Sequence, residues 1–320
     1  DFALARFKTN GTLDTSFGKA GEVFTPIENA AEAFGVGILP DGKIVAGGLA
    51  GTINSAATVT GIDFAAARYQ TNGAPDLSFG SLGRTTDNAG GGSLDFGYAT
   101  AIQPDGKIVL AGTAALGDLA SDADLFVALV RFNTNGTPDT TFGSDGTVVT
   151  EVGAYRDEAL SVALQSNGRI LVAGASAASD TTENQWFVQR YNPDGSLDST
   201  YGDDGARIIN FNSGTNELAY AVAVDSSGRA VVVGDAGGLF GVARLLPDAV
   251  PVVSLQISLA ATNAALISWP YPSAGWNLQQ NSDLTTTNWV TPPETINNDG
   301  TNNFIVVSPL TGNLFFRLEQ

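Results

Sequence analysis

The sequence contains no cysteine, no histidine and no methionine. Without Cys and His there is no disulfide framework, no Cys/His zinc site, no c-type haem attachment and no nucleophile–base pair built on those residues. Cations are also scarce: Lys+Arg is 15 against 33 Asp+Glu, for a net charge of −18. A binder of polyphosphate must replace released counterions with its own cations, so nucleic acid and anionic bilayers are not expected partners. No run of eighteen apolar residues is present, and no membrane span is expected. The first residue is Asp1 and no basic-then-apolar leader precedes it, which reads as a processed or trimmed chain. Glycine, by contrast, is abundant at 38 of 320, while charged residues are only 15%. That balance suits a turn-rich β protein better than a helical or disordered one.

The chain repeats itself. Asp-x-Ser/Thr-Phe/Tyr-Gly occurs at Asp14–Gly18, Asp76–Gly80, Asp139–Gly143 and Asp198–Gly202, its glycines 62, 63 and 59 residues apart. An apolar run, a Gly turn and a second apolar run recur at Ile38–Gly47, Ile102–Gly112, Leu164–Gly174 and Val224–Gly234. A third element, Phe2–Phe7, is echoed by Phe64–Tyr69, Phe126–Phe132, Phe187–Tyr191 and Phe240–Leu245. Three motifs on one period of about sixty residues define a repeat architecture. Each period reads as four short strands a, b, c and d, with Asn-Gly or Asp-Gly turns supplying the positive φ of tight hairpins. Four antiparallel strands per period, with no helical periodicity between them, describe a β-propeller blade.

The chain opens on c (Phe2–Phe7) and d (Glu22–Pro26), continues through three full sets, and closes on an a-b-c set over Tyr220–Leu245. If the first d strand completes the last set, a four-bladed ring results with one c strand to spare. These motifs resemble the bacterial delta-sixty repeat, over roughly residues 1–246. That resemblance implies a propeller of secreted and surface proteins with no established catalytic role.

After Pro247 the repeat stops and Asn, Thr, Ser and Pro increase. Residues 247–253 read as a linker and 254–320 as a small immunoglobulin- or fibronectin-like β-sandwich. The run Ile267-Ser268-Trp269-Pro270, Trp276-Asn277-Leu278-Gln279, Asn288-Trp289 and Phe315-Phe316-Arg317-Leu318 is similar to a C-terminal sandwich of secreted Verrucomicrobia–Planctomycetes proteins. Its tryptophans read as core packing, with a sugar-stacking platform as the alternative.

Five of the eleven arginines, Arg6, Arg68, Arg131, Arg190 and Arg244, share the strand-c position. Their expected partners are the acids ahead of strand a: Glu32, Asp95, Asp157 or Glu158, and Glu217. Such forks would lock adjacent strands, the alternative being a ring of arginines around an anion. The turn acids Asp14, Asp76, Asp139 and Asp198 read as turn caps. Calcium is the sharper reading for acids, with Asp118, Asp122, Asp124, Asp203 and Asp204 as weak candidates and no twelve-residue calcium loop present. No other cofactor is implied. Catalysis is not expected, because the prominent acids and arginines recur in every repeat and so point to the fold.

The function expected is a non-catalytic extracellular or cell-surface structural protein that associates with itself into a filament or layer. Strand donation through Phe2, Leu4, Arg6 and Phe7, or head-to-tail packing, would supply the contact; the other readings of that strand are cover for an edge of its own propeller and a piece of a larger ring. The alternative is a secreted propeller that binds or hydrolyses polysaccharide, with an extracellular glycan as partner.

Overall fold

A computed structural model describes residues 1–319 apart from 55–58, 92–93, 116–124, 180–181, 246–254, 262, 271–276, 284 and 310–311. The chain forms two compact units, Asp1–Pro247 and Asp248–Gln320.

The first unit opens with an antiparallel pair, β1 (Phe2–Ala5) and β2 (Glu22–Thr25). Three four-stranded blades follow. They are β3 (Ala30–Ile38), β4 (Ile44–Ile53), β5 (Val59–Tyr69) and β6 (Arg84–Asp87); then β7 (Asp95–Ile102), β8 (Ile108–Ala115), β9 (Leu125–Phe132) and β10 (Thr147–Thr150); then β11 (Arg156–Leu164), β12 (Ile170–Ala177), β13 (Gln185–Tyr191) and β14 (Ala206–Ile209). The last set has three strands: β15 (Glu217–Val224), β16 (Ala230–Ala236) and β17 (Phe240–Arg244). Within each set every strand pairs antiparallel with its neighbour in sequence.

Local chemistry fixes these hairpins. At the β11–β12 turn Gly168 sits at φ +84°, a conformation glycine reaches without strain, and Asn167 Oδ1 accepts the Arg169 N–H at 3.1 Å. Each strand a bulges by one residue, at Phe34, Tyr98, Leu160 and Tyr220. Opposite each bulge lies a strand-b glycine, Gly48, Gly112, Gly174 or Gly234. A Cβ on any of them would run into a backbone carbonyl of strand a. Gly174→Ala should therefore lower stability by about 1–3 kcal/mol, the usual cost of overpacking. A urea titration checks this, and an unchanged midpoint would mean that the bulge yields freely.

The core lies between blades rather than within them. One cluster joins Val45, Phe64 and Phe79 of one blade to Ile108, Leu110 and Phe132 of the next. The following interface joins Val109 and Phe142 to Ile170 and Phe187. A single sheet cannot bury both faces alone, so each blade depends on its neighbours.

The expected ring closure is not what the structure shows. β2 pairs with β1, in register from Phe2 opposite Thr25 to Ala5 opposite Glu22, and β17 pairs with β16 alone. A local hairpin has won over a long-range closure, as loop entropy favours. The spare-strand reading is corrected with it. Phe2 is wholly buried among Phe17, Ile27 and Tyr69 of its own unit. Leu4 packs against the same cluster, and Arg6 is tied to Asp14. That face is occupied at home and is not free for donation; of the four residues only Phe7 is largely exposed.

The second unit contains β18 (Gln256–Ala261), β19 (Ala264–Pro270), β20 (Asn277–Asn281), β21 (Asn297–Asn298), β22 (Asn302–Val307) and β23 (Phe315–Glu319). They form a sheet β18-β19-β22-β21 and a pair β20-β23. Ile267, Trp269 and Ile305 of the first meet Leu278 of the second in one core. Trp269 is thus a packing residue. Trp289 is half-buried with Arg317 stacked 4.5 Å from its ring, and Trp276 lies outside the described residues.

Candidate functional site

The most conspicuous polar constellation is the repeated arginine with its turn aspartate. Strand c ends in the arginine, the chain turns, and the aspartate eight residues later comes back beneath it. In the second full blade Arg131 Nε donates to Asp139 Oδ2 at 2.7 Å and Lys107 Nζ to the same oxygen at 2.9 Å. The other carboxylate oxygen takes the Thr141 hydroxyl at 2.7 Å and the Thr141 N–H at 3.2 Å. The guanidinium also stacks 4.3 Å from the Phe142 ring and donates to the Pro193 carbonyl of the next repeat.

The same assembly recurs. Arg68 binds Asp76 at 2.8 Å beside Lys43, over Phe79, and donates to the Thr134 carbonyl. Arg6 binds Asp14 at 2.9 Å, over Phe17, and reaches the Thr71 carbonyl. Arg190 binds Asp198 at 2.7 Å beside Arg169, over Tyr201. Arg244 is exposed, and no Asp-x-Ser/Thr-aromatic-Gly follows it in the sequence. The Arg6, Arg68 and Arg131 units therefore stitch a blade to its successor, using charge-assisted hydrogen bonds and a cation–π contact together. Burial pushes the Asp76 and Asp139 carboxyls up. The hydrogen bonds from lysine and Ser78 or Thr141, with the arginine charge, outweigh it and hold both well below the usual carboxylate range.

This overturns the expected pairing of the arginines with the acids ahead of strand a. Those acids instead staple the loop from strand d to strand a. Asp95 accepts the Ala89 N–H at 2.7 Å. Asp157 accepts Val152 and Gly153 N–H at 2.7 and 2.9 Å, and Glu217 accepts Phe211 and Ser213 N–H. The bulges align Asp95, Asp157 and Glu217 with Ala31, so the first full blade has no acid there. Glu32 lies one residue off and is exposed, and Glu158 hydrogen-bonds Arg156.

Of the calcium candidates, Asp118, Asp122 and Asp124 lie outside the described residues. Asp203 and Asp204 are exposed turn residues, Asp204 at φ +47°. Among the described residues no three acids gather as a metal would require.

One polar group escaped the sequence reading. Asp63, Asp87 and Asp95 lie in the first full blade and the strand that follows it; Asp63 disfavours ionisation of Asp87 and Asp95, Asp87 disfavours that of Asp95, and burial first, with Glu28, raises Asp63. Asp95 is fully buried and its Oδ1 has no partner. Burial first, then the charges of Asp63 and Asp87, push it up to about 7, and burial with Asp63 pushes Asp87 to about 6. Asp63 and Asp87 are not repeated. Their counterparts are Phe126 and Thr150, then Gln185 and Ile209, so a search for recurring acids passes over them. Asp95 is enclosed, whereas Asp63 and Asp87 are half-buried.

Known proteins place the repeat. A family model described as a beta-propeller domain of unknown function, DUF5122, matches residues 1–17, 39–79, 103–142 and 165–201. No curated protein matches the chain. Among solved structures, a protein of unknown function from Dyadobacter fermentans is similar at 10% identity over 90% of this chain and 79% of that one, with a TM-score of 0.40. A PQQ-bound aldose sugar dehydrogenase from Streptomyces coelicolor is 12% identical over 92% and 82%, with a TM-score of 0.36. A mannose phosphorylase from Leishmania mexicana is 12% identical over 66% of this chain, which spans 64% of that protein, with a TM-score of 0.37. The family match on the repeats and the four-stranded antiparallel blades together make this chain an all-β protein whose repeated part is a β-propeller fold.

Proposed function

We propose that the chain is a non-catalytic, extracellular assembly module whose open series of blades docks onto further β-structure at its ends. The observation that carries this reading is the pair of uncovered apolar faces. At the first end Val36 and Ile38 on β3 are 67% and 70% exposed. At the other, Tyr220, Leu239, Phe240 and Val242 are exposed, Phe240 by 82%. In the blades between, the residues matching Val36 and Ile38 are covered by the preceding blade. Large apolar faces of this kind mark interaction sites in stable proteins. The non-catalytic part of the reading is supported by the occupied state of the repeated ionic groups and by the lack of His and Cys. The extracellular part rests on the likeness of the repeat to secreted delta-sixty proteins.

Light scattering across a concentration series, with negative-stain imaging, tests it. The protein should associate as concentration rises, and Val36→Asp with Ile38→Asp should weaken that association at least tenfold without moving the melt. A monodisperse monomer at every concentration that instead binds on a glycan array would favour the polysaccharide reading and reject this one.

A further inference from the structure

Resting on that assembly reading, we infer that the groove at the first end takes a β-hairpin of this repeat's own a–b type. β1 corresponds to a c strand and β2 to a d strand, and among the described residues no a–b hairpin stands beside them. In the three full blades strand c pairs on one side with d and on the other with b. Among the described residues β1 pairs on the d side alone. The Arg6 N–H is spent on the Gly21 carbonyl at 3.1 Å, toward β2. By antiparallel alternation the Ala3 and Ala5 N–H groups point to the empty side. Between that edge and β3 runs a groove of about 410 Å³, lined by Ala3, Ala5, Phe34 and Val36 among others.

The shape required of strand a can be read from the other interfaces. Each following blade sets two larger side chains into two small positions of the blade before. Thr100 and Ile102 lie against Gly35 and Gly37, where a Cβ would collide with them. The matching small positions in the next two blades are Ala99 and Ala101, then Ser161 and Ala163, whose Ser161 Oγ accepts the Val222 N–H at 3.0 Å. Val36 and Ile38 are the larger pair with nothing to enter. The occupant is therefore a hairpin whose strand b continues the β1 ladder and whose strand a offers two small residues to Val36 and Ile38. A second copy offers its β15–β16 hairpin only with β17 attached, in the place that β1 already holds. A free hairpin can continue the β1 ladder, whereas a second copy can cover Val36 and Ile38 only without pairing with β1.

An isolated hairpin is marginal in water, so the probe is residues 95–115 fused ahead of Asp1 through a flexible Gly/Ser linker of about ten residues. In the fusion, hydrogen exchange at Ala3 and Ala5 should slow at least tenfold, and self-association through Val36 should disappear. The same fusion with Ala99→Leu and Ala101→Leu should lose both effects. Unprotected Ala3 and Ala5 amides in the fusion would overturn the hairpin. Protection of those amides in the unfused chain on raising its concentration would assign the groove to a second copy. Exchange reads the groove whether or not the chain assembles, so failure here and failure of the assembly reading are distinguishable.

Discussion

Replacing Asp139 by alanine should cost the fold about 3–5 kcal/mol, read from the urea midpoint. The carboxylate is nearly enclosed and answers two cations, Arg131 and Lys107, with a hydroxyl and a backbone N–H on its other oxygen. Without it a buried guanidinium faces the Phe142 ring, carbonyl oxygens and the Thr141 hydroxyl but no anion, and an unpaired buried charge is among the most expensive defects a core can hold. Substituting the pair together, Arg131→Met with Asp139→Leu, should recover most of the loss, because the charge and its partner leave at once. If the single and double variants lose the same amount, the site matters for packing and not for charge. Asp14→Ala should do much less, since Arg6 and Asp14 are more open to water. The pH behaviour follows from the lowered carboxyl: the contribution of Asp139 is present above the ordinary value of 3.8 and is lost only as pH falls through the lower folded value.

That the arginine answers the turn aspartate was not legible in the sequence, although both residues were. The arginines, the turn acids and the acids ahead of strand a all recur on one period, so periodicity cannot tell which acid meets which cation. Geometry decides: the turn after strand c folds Asp139 back under Arg131, whereas Asp157 lies at the loop between blades and faces bare N–H groups. The turn glycines were readable because positive φ is a local demand, met at Gly42, Gly106, Gly168 and Gly228 alike. Strand order was readable for a similar reason, since each blade is a meander of neighbours. Closure was not, because it sets Glu22–Thr25 against two rivals, β1 sixteen residues away by a short turn or β17 across the whole unit. The acid trio was hidden for the opposite reason: Asp63 and Asp87 occur once, and only folding brings them to Asp95.

Stability should fall as pH rises from about 4 to about 7, and Asp95→Asn should remove the share of that fall that reaches to pH 7, leaving the share of Asp87 below about pH 6. The folded Asp95 carboxyl is pushed up to about 7 from an ordinary 3.8, chiefly by burial and then by the charges of Asp63 and Asp87. A group that holds its proton more tightly when folded favours the fold fully below its unfolded value. The advantage drains away as pH rises to the folded value. At 1.36 kcal/mol for each unit, that window corresponds to about 2–4 kcal/mol. The Ala89 N–H on Oδ2, and more weakly the Gly90 backbone, oppose the shift, but Oδ1 has no hydrogen-bond partner, so ionisation places charge on a poorly answered oxygen. Asparagine keeps an acceptor for Ala89 and carries no charge. Its variant should therefore melt with the wild type near pH 4 and clearly above it near pH 7.5. Asp157 is the internal comparison: its carboxyl is also raised by burial, yet two backbone N–H groups and Ser176 answer it, so Asp157→Asn should gain less or lose. An Asp95→Asn variant that melts below the wild type at pH 7.5 would show that the carboxylate is ionised in the fold, and that its hold on the Ala89 loop outweighs the cost of burying its charge.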